Sequence, residues 1–400
     1  MNASASASPL SGVIQIELVH TAKQLREFVS FPFALYKNDP YWVPPFIEER
    51  LDFLNKAKNP FFDNAHSELF LARRQGHIVG TIGGAVNIQY NMLNQAKLAT
   101  FGFFECIDDD AVAAALFAAV EQWARDLGMH ELHGPMSFTT NHEIGLLIDG
   151  FETAPMLMLT HNPRYYARLI AQNGFSKAID MYAYIGDLEE RLTNAPPKVV
   201  RVAEAAMQRK GIRVRSVNKR DFKAEVQRFL QVYQEAWSGN WGFVPLSKQE
   251  AQYLGKQLRW LIDPDLAFIA ETTDGKPIAV SISLPDINQA MRISGGGNMW
   301  PFGLIKTWRA RKQIDQARLW TMGVVKEYRH LGIDAVFYLQ TAKAALAKGY
   351  KRLEGSLILE NNTMMNRIID RLGGERYKTY RIYRKPLLSE QDPDQLSVRA

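Results

Sequence analysis

Apolar positions recur in the same order twice along the chain. Leu69-Phe70-Leu71-Ala72, a polar turn at Gly76 and Ile78-Val79-Gly80 predict a β-hairpin; Ala267-Phe268-Ile269-Ala270, a turn at Gly275 and Ile278-Ala279-Val280 predict another. Beyond each lies an amphipathic run, AVAAALFAAVEQWARDL and AVFYLQTAKAALAK, with apolar residues at helical spacing. Gly128 and Gly349 close these helices in positions suited to a left-handed cap. The stretches Gly128 to Gly134 and Gly349 to Gly355 then match in spacing, each leading from helix to strand. A third landmark is RLIAQNGF against RIIDRLGG, after which Gly174 leads to Tyr184 just as Gly373 leads to Tyr383. Three landmarks in register point to duplication and an α+β fold of two related domains. The expected division is a disordered tail over 1–12, a first domain over 13–190, a linker with a helix over 191–211, a second domain over 212–387 and a tail over 388–400.

Composition narrows the class. At 400 residues and 46% hydrophobic the chain can bury a sizeable core, and its net charge of +6 permits an acidic partner without pointing to nucleic acid. The single cysteine, Cys106, excludes an internal disulfide and any multi-cysteine metal site, as expected in a reducing compartment. MNASASASPLSGVIQIE has neither the basic nor the apolar region of a secretion signal, and no apolar run approaches the ~18 residues of a membrane span. The expectation is a cytoplasmic protein, with attachment at the inner membrane surface left open.

The chemistry concentrates in TMGVVKEYRHLGIDA, residues 321–335, where a strand-like run meets Arg329-His330-Leu331-Gly332 and a helix begins. Unpaired N–H groups at a helix N-terminus, with a nearby cation and a glycine permitting close approach, suit a phosphate. At the matching place the first half has Asp108-Asp109-Asp110, carboxylates that repel a polyphosphate but cap a helix well. Only the second half is expected to hold phosphate. Gly295-Gly296-Gly297 lacks the following Lys-Ser/Thr of a nucleotide loop.

These residues resemble the GCN5-related N-acetyltransferase (GNAT) superfamily, and the whole chain resembles bacterial proteins built from a tandem pair of such domains, each a central mixed β-sheet flanked by helices. The superfamily signature runs Arg or Gln, two residues, Gly, one residue, then Gly or Ala. Here Arg329-His330-Leu331-Gly332-Ile333 meets it, but Asp334 takes the last position, with Ala335 next. The resemblance implies that the backbone of Gly323, Val324 and Val325 holds a pantetheine arm and that Asn362, placed before Gly373 as in the family, belongs to the same site. Where the family often has a proton-donating tyrosine this chain has Ile369. The co-substrate so implied is acyl-CoA or an acyl-carrier phosphopantetheine, with no metal. The reaction is attack of an amine on the thioester, which needs proton removal, oxyanion binding and protonation of sulfur.

For the base, Glu360 is one candidate, and it reads equally as a helix-start carboxylate. His142 and Glu143, in the inserted loop SFTTNHEIGLL, are others, against the reading of an incidental surface histidine. In the family the segment between the first two helices shapes the acceptor site, which implies substrate contacts at Trp237, Asn240, Trp241 and Phe243. PFALYKNDPYWVPPF, near residues 32–46, is a rigid packing segment or a wall of the site. WRARKQIDQAR, residues 308–318, is expected as a basic helix, solvated or docking an acidic acyl carrier protein. The functional expectation is an N-acyltransferase, with a long-chain acyl group passed to a sphingoid base as its most specific form. An acetyl-CoA-dependent transferase of small amines and a non-catalytic GNAT-fold scaffold are the alternatives.

Overall fold

A computed structural model describes residues 12–209, 211–299 and 302–387. The tails expected at 1–12 and 388–400 fall outside these residues, Gly12 excepted. The first half supplies strands β1 (Ile14–Leu18), β2 (Ala65–Arg74), β3 (His77–Asn87), β4 (Leu98–Cys106), β5 (Glu131–Gly134), β6 (Leu146–Asp149) and β7 (Ser176–Asp187). The second supplies β8 (Ile212–Ser216), β9 (Ala267–Thr272), β10 (Pro277–Pro285), β11 (Gln316–Val324), β12 (Arg352–Leu359) and β13 (Glu375–Pro386). The two expected hairpins are β2–β3 and β9–β10.

The strands form one 13-stranded sheet in the order β1-β2-β3-β4-β5-β13-β7-β12-β11-β10-β9-β8, with β6 also paired to β13. Matching β1 to β8, β2 to β9, β3 to β10, β4 to β11, β5 to β12 and β7 to β13, the order reads alike from either edge. A pseudo-twofold therefore passes between β13 and β7. The halves have exchanged their last strands: β13 pairs with β5 of the first half, and β7 pairs with β12 of the second. The landmark residues show the symmetry directly, since Tyr184 lies opposite Gly355 and Tyr383 opposite Gly134. Across the seam Arg381 grips Asp180 in a two-pronged pair at 2.7 and 2.9 Å.

Helices cover the sheet where sequence gives them an apolar stripe. In the helix Asp110–Asp126, Val112, Leu116, Phe117 and Val120 are buried against the first half's strands, and Asp109 caps it by accepting from the Ala111 and Val112 N–H groups. Asp109 also pairs with Arg74, while Asp108 and Asp110 both pair with Arg168, so the three carboxylates are taken up by caps and cations. In the helix Ile333–Ala347, Ile333 and Phe337 pack on Phe268, Ala270 and Ile278. The helix Pro197–Gln208 lies across it through Ala203 and Ala206. The expected basic helix 308–318 is split, because the helix Gly303–Ala310 ends in a single tight turn and Gln316 already starts β11. No helix among the described residues is long and apolar enough to cross a membrane.

Candidate functional site

Two pairs of parallel strands open the sheet at equivalent places. β4 and β5 pair only from Leu98–Glu131 to Thr100–His133, and β11 and β12 only from Gln316–Arg352 to Leu319–Gly355; beyond these points each pair diverges. In the first half the gap is filled by the chain's own loop. Met136 N–H donates to Phe101 O at 2.8 Å, Thr100 Oγ1 donates to Phe138 O at 2.8 Å, and Phe138 stacks on Phe61 with centroids 4.6 Å apart. A Cβ at Gly102 would sit 2.0 Å from Met136 O, so glycine is what lets the plug lie flat.

In the second half the gap is open, a cleft of about 670 Å³. Pairing with β10 shifts between Ile282–Thr321 and Ser283–Leu319, which leaves Trp320 as the extra residue of a bulge. Past the bulge, Thr321 to Val324 have β10 on one side and the cleft on the other, so alternate backbone groups face it unpaired. A Cβ on Gly355 would meet nothing within 4 Å, whereas one on Gly323 would strike the Trp237 ring at 2.2 Å. Gly355 is thus the open floor of the crotch and Gly323 the seat of a tryptophan.

Five of the eleven expected donor-side residues converge here. Gly323, Val324, Arg329, Asp334 and Asn362 all line the cleft. Arg329 ties its mouth together, donating from Nε to Val324 O at 3.1 Å and from Nη2 to Ala236 O at 2.9 Å. Asn362 caps the following helix by accepting from Met365 N–H. Asp334 makes no cap and faces the cleft in the first turn, so the carboxylate stays beside the proposed phosphate position. Val325, by contrast, is buried and its N–H donates to Ile278 O at 2.9 Å, leaving no donor for a ligand. Leu331, Ile333 and Ala335 serve packing, and His330 lies exposed outside the lining. Gly332 has φ 75°, and a Cβ there would meet Val202 Cγ1 at 2.5 Å, so a substitution would disturb the helix packing as well as the cradle.

Trp237, Asn240, Trp241 and Phe243, expected as acceptor contacts, also line the cleft, and the first half's loop completes this wall. Thr140 Oγ1 donates to Gly242 O at 2.6 Å, Asn141 Nδ2 donates to Val244 O at 3.1 Å, and the Tyr233 hydroxyl donates to Asn141 Oδ1. His142 lines the cleft edge-on to Phe53 and Phe61, and burial pulls its imidazole down to about 4. Glu143 lies outside the lining, bound two-pronged by Arg50 at 2.6 and 2.9 Å. Glu360 is likewise absent from the lining: it takes Lys177 Nζ at 2.6 Å and the Asp180 N–H at 3.1 Å, a role that holds β7 to β12.

A buried polar cluster that the sequence reading passed over occupies the base of the cleft. Glu354 has no exposed surface, lines the cleft, and neither carboxylate oxygen has a hydrogen-bond partner; Arg318 Nε lies 3.4 Å away. Burial pushes its carboxyl up, with Arg318 opposing. Arg318 is itself held by Ser356 Oγ at 3.0 Å and by Leu157 O. Nearby, burial pushes Asp286 up to about 7 and pulls Lys378 down to about 8. The signal available in sequence was Glu354 itself, a carboxylate between Leu353 and Gly355 in an apolar strand. On the helix side Tyr338 lines the cleft with its hydroxyl 3.1 Å from Met365 Sδ, and burial holds its phenol well up and therefore protonated. Arg191 also lines the cleft and lies over Gly186, with no hydrogen bond from Nε or Nη2.

The comparisons with known proteins fit this geometry. Searched against family models, the chain matches none. It is 36% identical over 369 residues to Protein YghO of Escherichia coli K12, spanning 91% of this chain and 93% of that one. It is 35% identical over 376 residues to the bacterial ceramide synthase of Caulobacter vibrioides, spanning 92% and 96%. Among solved structures, a tandem GNAT protein from the clavulanic acid biosynthesis pathway superposes with a TM-score of 0.57 at 11% identity, over 95% of this chain and 100% of that one. The chain belongs to the family of the bacterial ceramide synthase and Protein YghO, and it has the tandem GNAT fold. A GNAT protein from Sphaerobacter thermophilus, with a TM-score of 0.51 at 15% identity over 94% and 96%, shares the fold. In tandem GNAT terms, the second half of this chain keeps the open cleft and the first half keeps only its outline.

Proposed function

We propose that the second-half cleft transfers a long-chain acyl group from a thioester of CoA, or of a carrier phosphopantetheine, to the amine of a sphingoid base. The observation that carries this reading is the cleft's size and lining. At about 670 Å³ it is far larger than an acetyl group needs, and Met158, Met181, Met322, Met364 and Met365 join its aromatic wall. Flexible thioethers suit a long alkyl chain without fixed shape. The likeness to a full-length relative named bacterial ceramide synthase supports the same substrate class.

In this mechanism the unpaired N–H groups of β11 past Trp320 hold the thioester carbonyl and the oxyanion that develops on it. The amine enters past Trp237 and the Thr140–His142 loop. Its nitrogen forms the new bond to the carbonyl carbon while Glu354 takes the proton, directly or through one water. The C–S bond then breaks and the thiolate takes a proton from Tyr338. His142, neutral at pH 7, shapes the wall. Glu354 suits its role because burial favours its neutral form and so strengthens it as a base.

The test is acyl-chain and acceptor preference. Purified protein is given acetyl and palmitoyl thioesters with sphinganine or with small amines, and free thiol and lipid product are followed. Turnover of palmitoyl donor onto sphinganine is expected; turnover confined to acetyl donor and small amines would overturn the substrate assignment.

A further inference from the structure

The connection between β10 and β11, residues 286–315, carries Arg292, Lys306, Arg309, Arg311 and Lys312, with carboxylates only at its two ends, Asp286 and Asp315. It folds as the helices Ile287–Ser294 and Gly303–Ala310, tied by a 2.8 Å bond from Thr307 Oγ1 to Ser294 Oγ. Its base is fixed to the body. Asn288 Nδ2 donates to Pro155 O at 2.9 Å, Arg292 donates to Pro40 O at 2.9 Å, and Gly297 exchanges backbone bonds with Pro45 and Ile47. The second helix buries only Thr307 and Ala310. Its remaining face leaves Phe302 65%, Ile305 48% and Trp308 57% exposed, with Ile293 of the first helix 57% exposed beside them. Large apolar groups this open on a short helix are not core residues, and together they mark an interaction surface.

The charge pattern says what covers it. Cations intermixed with exposed aromatic and branched side chains, with no acid on the second helix and Glu48 engaged at its base by the Met299 N–H, match an anionic bilayer: rings enter the headgroup boundary and cations stay on the phosphates. The Arg311 guanidinium lies 4.1 Å from the Trp308 ring centroid, which joins one cation to one aromatic at such a boundary. An acidic carrier protein would satisfy the charges but leave Phe302 and Ile305 without an apolar partner. The segment is rooted near the cleft, because Asp286, just before the first helix, accepts from the Leu157 N–H next to the cleft-lining Met158.

We infer that this helix pair docks the protein on an anionic membrane surface. The inference stands on this surface alone, so its failure would leave the acyl-transfer reading intact. Full-length protein is floated with vesicles of phosphatidylglycerol and phosphatidylcholine, and with phosphatidylcholine alone. Flotation with the anionic vesicles, weakened by salt, is expected. The triple variant Arg309→Ser, Arg311→Ser, Lys312→Ser loses about fivefold in affinity per cation removed, and Ile305→Ser with Trp308→Ser abolishes flotation. These positions are exposed, so thermal stability and thiol release with soluble substrates stay as in the parent. Absence of flotation on anionic vesicles, or flotation indifferent to both variants, would overturn the inference. So would loss of acidic carrier-protein binding in the variants with vesicle binding intact.

Discussion

Arg318 and Glu354 stand side by side on β11 and β12, one register before the last pair, Leu319–Gly355, at which the strands part; they lie 3.4 Å apart and are buried. Glu354 is paired with Arg318 but its carboxylate oxygens lack a close hydrogen bond, so in the proposed mechanism it takes a proton from a group arriving in the cleft. Glu354→Gln should lower turnover about 10²- to 10⁴-fold. The rate of the parent should rise with pH on the acid side, above the ordinary glutamate range because burial raises Glu354, and this limb should vanish in the variant. Thiol release across a pH series measures both; an unaltered limb would remove Glu354 from the mechanism.

Gly355 offers a cleaner test of the cleft than Gly332. Its Cβ position is open and its backbone is not left-handed, so Gly355→Leu should fold with unchanged thermal stability while placing a side chain in the crotch. Donor affinity, measured by calorimetry, should fall at least about tenfold, or 1.4 kcal/mol.

In the proposed binding mode Asp334, in the first turn of the helix Ile333–Ala347, would face the diphosphate of CoA. Asp334→Asn should tighten binding of a CoA donor about fivefold, on the order of the 1 kcal/mol typical of a charge at a helix end. A phosphate-free pantetheine thioester should bind the parent and the variant equally. Equal tightening of both donors would place the carboxylate away from the phosphates.

Asp286 couples the same region to pH. Its carboxyl rises to about 7 on burial, so between the ordinary aspartate range and 7 the folded protein holds more protons than the unfolded chain. Stability from this group is therefore lost as pH rises through that interval. Asp286→Asn keeps an oxygen for the Leu157 N–H and should flatten the pH dependence of unfolding between the ordinary aspartate range and about 7, measured by denaturant titration at each pH.

The plugged first-half gap predicts a stability effect with no effect on chemistry. Gly102→Ala drives a methyl into Met136 O and should cost about 1–3 kcal/mol by overpacking. Denaturant unfolding measures the loss, and turnover per folded molecule should be unchanged.

The duplication was legible because it is written in local patterns: Gly134 and Gly355, Tyr184 and Tyr383 mark the same turns and strands in each half. The exchange of β7 and β13 was not, since a strand's own alternation is the same whichever β5-like neighbour it pairs with. The cleft mouth was legible for similar reasons, through Arg329, Gly332, Asn362 and the Trp237–Phe243 segment. Glu360 and Glu143 drew notice as carboxylates at suggestive places, but Lys177 and Arg50, which bind them, are remote in sequence. Glu354 escaped for the converse reason, because a lone acid in a strand is distinguished only by the burial that the surrounding sheet imposes.

The exchanged strands give the first half a permanence that its closed gap would not. A domain without a ligand slot would otherwise be free to erode, yet the cleft-lining strand β12 finds its outer partner in β7, which the first half encodes. Expressed alone, the second half would present β12 as a bare edge and leave β13 without either neighbour. Deleting the silent copy would unzip the wall of the working one, so the two copies are inherited as a single unit.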